Sequence, residues 1–249
     1  MNQEDPNQRL SLISTLWSVV RQAHDGPAEA ANRARQQLLE RYGGAVRRYL
    51  RKVLHDPDAV DEVFQEFALQ LVHGRLRGAH PGRGRFRNFV KGTLFHLIAD
   101  YRAQRAVWPG PLPAAGAAKA AGPPDLESDR QFIETWCDGL LARAWAALAE
   151  VEAATGQPYY GVLRFRADHP EMRSPQMAEV LGARLGRPFT AAGFRQLLHR
   201  AREKFADHLL EGVTQSLENP AAEKLEEELV ELGLLDYCRP ALGRRGLNV

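Results

Sequence analysis

Along most of this chain the apolar residues recur at i, i+3, i+4 and i+7, and no run alternates with period two between hairpin turns. The pattern predicts an all-α protein. Residues 8–23 and 28–54 carry the first two helical patterns, and "HDGPAEAA" between them offers Asp25 as a cap and Pro27 as a helix opener. "HDPDAVDEVFQEFALQLVHG" predicts a third helix, with Asp56 as N-cap, Pro57 in the first helical position and Gly74 as the stop. "PGRGRFRNFVKGTLFHLIADYRAQRA", from Pro81, predicts a fourth.

From Val107 the text becomes "VWPGPLPAAGAAKAAGPP", a Pro/Ala/Gly-rich stretch that no core uses well, and it predicts a linker over 107–128. Beyond it "ESDRQFIETWCDGLLARAWAALAEVEAATG" reads as a long amphipathic helix. "SPQMAEVLGARLGRPFTAAGFRQLLHRAREKFADHLLEGV" reads as helix, short Gly/Pro turn, helix, with Ser174 as cap. The last pattern, "ENPAAEKLEEELVELGLLDYC", is acidic and helical, set off by Pro220, and reads as an appendage rather than core. The expected organisation is two helical domains, 1–106 and 129–213, the second containing a helix-turn-helix, with an acidic helical tail over 214–249.

Three surfaces carry chemistry. On the third helix Val60, Val63, Phe64, Phe67, Ala68, Leu71 and Val72 keep helical spacing and predict a buried face. Opposite lie Asp58, Asp61, Glu62, Gln65 and Glu66, and no lysine or arginine between Asp56 and Glu66 supplies the i,i+4 pairs that usually neutralise such a face. A solvated face and a docking surface for a basic partner both fit. On the fourth helix a 100° wheel gathers Phe86, Phe89, Val90, Leu94, Leu97, Ile98 and Tyr101 on one side, leaving Asn88, Lys91, Phe95 and Arg102 on the other. An outward phenylalanine among Arg83, Arg85, Arg87, Lys91 and Arg105 is what a single-strand grip needs: cations for phosphates and a ring on which an unpaired base stacks, worth about 1–3 kcal/mol per base. Third, in the helix after "GRPFT", Phe194, Leu197, Leu198, Ala201 and Phe205 make a buried stripe. Arg195, Gln196, His199, Arg200 and Arg202 stay outside, with slim Ala191 and Ala192 at the entry, a set that can read base edges in a major groove.

Composition changes little. The 249 residues, 44% hydrophobic and 26% charged, predict an ordinary globular chain. No apolar run is long enough to span a membrane and no leader pattern begins the chain, so a cytoplasmic location with no membrane partner is expected. Cys137 and Cys238 stand far apart and suggest neither a disulfide framework nor a zinc site. The net charge of +2 averages segments of opposite sign. A hydrolase with a metal on His73, His80 or His96 is disfavoured, because these histidines share neither a helical face nor tight spacing. No cofactor and no enzymatic activity are expected.

"DPDAVDEVFQEFALQLV", then "GRGRFRNFVKGTLFHLIADYRAQR", a linker, and "MAEVLGARLGRPFTAAGFRQLLHRAREKF" together resemble an extracytoplasmic-function (ECF) sigma factor of bacterial RNA polymerase, over roughly Arg33 to Leu210. "TLWSVVRQA" and the acidic tail are similar to extended versions of that family found in planctomycete-like bacteria. The resemblance implies a non-enzymatic specificity subunit. Its first domain (1–106) is then a region 2-like domain that binds the clamp helices of core RNA polymerase through Asp58, Asp61, Glu62, Gln65 and Glu66. The same domain opens the −10 element through Arg83, Arg85, Arg87, Asn88, Lys91, Phe95, Arg102 and Arg105, with a flipped base near "HPGRGRF". The second (129–213) is region 4-like and reads the −35 element through Thr190, Arg195, Gln196, His199, Arg200 and Arg202. Implied partners are core polymerase and promoter DNA, duplex and single-stranded, with room for an anti-sigma factor. A helix-turn-helix regulator of duplex DNA acting without polymerase is the alternative. The acidic segment from Glu218 to Asp236, by charge complementarity, is a candidate brake on the basic surfaces.

Overall fold

The computed structural model describes residues 16–72, 86–107, 126–217 and 221–247. Every regular element among them is a helix: α1 (Leu16–Asp25), α2 (Ala28–Leu54), α3 (Pro57–Val72), α4 (Phe86–Val107), α5 (Leu126–Thr155), α6 (Tyr159–Asp168), α7 (Ser174–Leu185), α8 (Ala191–Thr214), α9 (Ala222–Glu231) and α10 (Leu235–Arg244). The predicted all-α class stands. Residues 1–15, Gly74 and nearly all of the predicted linker lie outside the described residues.

Local chemistry sets several helix ends. Asp56 caps α3 as expected, its Oδ1 accepting from the Asp58 N–H at 3.1 Å. Two expected caps shift. Asp25 is the last residue of α1, and Pro27 stands one position ahead of α2 with no side-chain cap. Ser174 is the first residue of α7, and the Gln176 carboxamide oxygen accepts from the Arg173 N–H at 3.2 Å in its place. α7 stops at Gly186 (φ 64°), where the Arg187 N–H returns to the Gly182 carbonyl at 3.1 Å. A Cβ on Gly182 would sit 3.1 Å from the Arg187 carbonyl oxygen, so any larger residue there requires the turn to give by a few tenths of an ångström.

By packing, the chain divides into two compact units: described residues up to Gly139 with Thr214–Lys224, and Leu140–Val213 with the segment from Leu225. In the first unit α2 is central. α3 runs antiparallel to it, Phe64 lying against Gly43 and Asp61 meeting Arg47. α4 runs parallel to it, Phe86 beside Tyr42 (5.3 Å between centroids), Phe95 beside Tyr49 (6.3 Å) and Arg102 at the Val53 carbonyl. The start of α5 completes this core: Phe132 meets Tyr49 edge-on at 5.3 Å and Trp136 stacks on Tyr42 at 5.0 Å. Such pairs add about 0.5–1.5 kcal/mol beyond the area they bury. The sequence places the start of the second domain at residue 129; packing assigns residues up to Gly139 to the first, because Phe132 and Trp136 face its aromatic core.

In the second unit Leu148, Val162, Met177, Phe194, Leu209 and Leu210 are buried, and Trp145 meets Tyr160 and Phe205 at 5.7 and 4.7 Å. The C-terminal segment belongs to this core and is not an appendage. Leu225, Leu229, Cys238, Ala241 and Leu242 are buried, and Tyr237 sits edge-on to Phe205 at 5.8 Å. Arg244 donates to Glu203 at 3.1 Å and to Asp207 at 2.8 Å on α8.

Burial pushes the Cys238 thiol from 9.0 up to about 12 and also raises the Tyr237 phenol. The fold favours the neutral thiol, so this contribution to stability is complete below about 9 and is lost as pH rises towards 12. The urea midpoint of the protein should fall over that interval, and the fall should be shallower in Cys238→Ala. Equal slopes would show that the thiol does not titrate with unfolding.

Candidate nucleic-acid interface

The acidic face of α3 is where the spacing puts it. Ala59, Val60, Val63, Phe64, Phe67 and Leu71 are buried, Ala68 is half-buried, and Asp58, Asp61, Glu62, Gln65 and Glu66 are exposed. It is only partly neutralised. Arg47 of α2 pairs with Asp61 while its guanidinium lies 3.8 Å over the Phe64 ring, and Glu66 accepts from Gln70 at 3.3 Å. Asp56, at the head of α3, pairs with Arg105 of α4 at 3.2 Å. Asp58 and Glu62 meet no cation among the described residues.

The basic face of α4 departs further from expectation. Arg83 and Arg85 lie outside the described residues. Arg87 is 1% exposed and so is not a surface cation. Lys91 is drawn into an ion pair with Asp129 of α5 at 3.1 Å, and Phe95 is half-buried beside Tyr49. Asn88 is exposed. Arg102 is exposed but donates to the Val53 carbonyl at 3.4 Å, and exposed Arg105 is held by the Tyr101 hydroxyl and Asp56. Those two partners, Tyr101 foremost, raise the Arg105 guanidinium further above its ordinary value. The start of α5, contributed from beyond the linker, thus covers part of the side expected to face a strand.

On α8 the expectation and the geometry agree more closely. Phe194, Leu198, Ala201 and Phe205 are buried and Leu197 is half-buried, so Arg195, Gln196, His199, Arg200 and Arg202 point outward and are exposed. His199 lies 3.6 Å from Glu203, which also holds Arg244. Thr190 is occupied as a cap, its Oγ1 accepting from the Gly193 N–H at 3.0 Å. On α7, Met177, Ala178 and Leu181 face inward, Val180 is half-buried, and Leu185 is 41% exposed, against the inward placement expected. At the first turns of α8 an open groove of ≈ 350 Å³ is walled by Arg187, Phe189, Gln196 and Arg200, the Arg187 guanidinium 5.0 Å over the Phe189 ring. Arg187 is absent from the sequence-based set because it precedes the helix, although a cation one turn ahead of an exposed basic face was a legible signal. A larger open depression of ≈ 740 Å³ along α7 is lined by Glu171, Met172, Gln176, Glu179 and Arg184.

Among the described residues no group of three or more His, Cys, Asp or Glu is placed to hold a metal ion, and no helix is long and apolar enough to cross a membrane. His96 is exposed, while His73 and His80 lie outside the described residues. The described residues thus form helices that carry an exposed acidic face on α3 and an exposed basic face on α8, while the cations of α4 are largely engaged or buried. Compared with protein-family models, curated proteins and solved structures, the chain matches none.

Proposed function

We propose that this chain is a sigma-type specificity subunit of bacterial RNA polymerase, an all-α, non-enzymatic protein that docks on core polymerase and selects promoter DNA. In this reading the exposed acids of α3 meet a basic coiled coil of the polymerase, and α8, as the second helix of a helix-turn-helix, reads duplex DNA with Arg195, Gln196, His199, Arg200 and Arg202. Phosphates supply most of the affinity and a few base edges the specificity. The observation that carries it is the pairing, in one chain, of an acidic helix face left largely open on α3 with an open basic face on α8. A protein that binds duplex DNA alone has no use for the first. Engagement of a melted strand by Asn88, Lys91 and Phe95 then requires the Lys91–Asp129 pair to open.

One observation favours a second reading, a helix-turn-helix regulator that binds duplex DNA without polymerase: α4 offers fewer open cations than a strand grip needs, with Arg87 buried and Lys91 paired. Run-off transcription separates the two. With purified core polymerase and a promoter-rich genomic library, discrete start sites dependent on this protein are expected. Duplex binding without any initiation would replace the first reading with the second.

A further inference from the structure

We propose that the C-terminal turn of α2 is a nucleic-acid phosphate site, formed by Arg51, Lys52 and His55 with Arg102 of α4. The inference rests on the reading that the chain binds nucleic acid and extends it to a helix outside the surfaces considered so far. Between Glu40 and Asp56 the chain has no acidic residue and five cations, Arg41, Arg47, Arg48, Arg51 and Lys52. Two of the five are engaged, Arg47 with Asp61 and Arg41 with Gln215. Arg51 and Lys52 are exposed, and neither meets a carboxylate among the described residues.

Two features of the backbone bring a further cation and a further hydrogen-bonding ring there. Arg102 reaches the Val53 carbonyl, which brings a guanidinium from α4 onto the last turn of α2. His55 ends that helix with φ 57°, a left-handed conformation that side chains other than glycine seldom adopt, and its imidazole is exposed beside the turn. Asp56 and Asp58 are the neighbouring acids; Arg105 pairs with Asp56, and Asp58 leaves one negative charge against three cations. The bland explanation is compensation of the helix dipole, but a helix C-terminus carries only roughly half a negative charge. Arg51, Lys52 and Arg102 exceed that several times over and leave a net positive junction. Along α4, Lys91 and Arg102 stand about 16 Å apart at helical rise, so a backbone that follows α4 arrives at this turn.

The test is a salt series on the full chain, with labelled single-stranded oligothymidylate and a duplex of equal length as probes. Wild-type protein should bind with an affinity that falls linearly, on logarithmic axes, with salt. Arg51→Ala/Lys52→Ala should bind several-fold more weakly, with a single-strand salt slope shallower by about 1.4, since each lost phosphate contact removes about 0.7. Arg51→Lys/Lys52→Arg, which keeps the charge, should restore the slope. An unchanged slope in the alanine pair, with unchanged melting, would overturn the inference while leaving initiation with core polymerase intact. A reduced slope in a protein that never directs initiation would keep the site and remove the sigma reading. Wild-type binding without salt dependence would overturn both.

Discussion

Trp136→Ala is expected to destabilise the first unit by about 3–5 kcal/mol, the range for removing a buried tryptophan from a core that cannot fully collapse. Trp136 is 3% exposed, stacks on Tyr42 and neighbours Phe132 at 5.9 Å, and Tyr42 in turn contacts Phe86 at the head of α4. The substitution therefore opens a void at the meeting point of α2, α4 and α5 and removes aromatic contacts on two sides. Urea titration followed by far-ultraviolet circular dichroism measures it. A companion measurement addresses the boundary: a fragment ended at Gly139 should unfold cooperatively, and one ended at Asp125 should lose several kcal/mol or the transition altogether. Equal midpoints for the two fragments, or a loss below about 1 kcal/mol in Trp136→Ala, would mean that the start of α5 is not part of this core.

How far the sequence reached depends on whether the deciding partner was local. The buried stripes of α3 and α8 were legible because their spacing is a property of one helix, and the cap at Asp56 because it acts two residues away. Arg87 was legible too. On the same 100° wheel it falls about 100° from Phe86, between Leu94 and Ile98, inside the buried sector, but its basic neighbours suggested a surface role. Lys91 and Phe95 were not legible in this way. Asp129 is brought to Lys91 from beyond a linker of no predictive pattern, and Tyr49 is brought to Phe95 by the neighbouring α2; neither wheel nor composition shows either contact. Arg47 illustrates the same limit on α3, since i,i+4 counting along one helix misses a cation delivered by the neighbouring antiparallel helix. In the C-terminal segment net charge outweighed pattern. Leu225, Leu229 and Leu232 already marked a buried stripe within the acidic text, and the structure packs all three.

Glu62→Lys/Glu66→Lys should weaken binding to core RNA polymerase about tenfold or more, about 1.4 kcal/mol, if the open face of α3 is the docking surface. Both carboxylates are exposed and neither belongs to an ion pair with a cation among the described residues, so reversal leaves the fold's own contacts in place apart from the Glu66–Gln70 hydrogen bond. Asp61 is the poorer choice, because a lysine there would face Arg47 and mix a folding defect with a binding one. Single exposed pairs contribute only about 0.2–1 kcal/mol, but reversal replaces each attraction by a repulsion at two positions one helical turn apart. The loss should therefore shrink as salt rises, since screening at physiological ionic strength acts over about 8 Å. Titration of labelled core polymerase, beside duplex binding and thermal melting of the same variant, separates the causes. Weakened polymerase binding with melting and duplex affinity unchanged assigns the acids of α3 to docking. Unchanged polymerase binding would leave that face merely solvated, and with it the reading of the chain as a duplex-DNA regulator would become the stronger one.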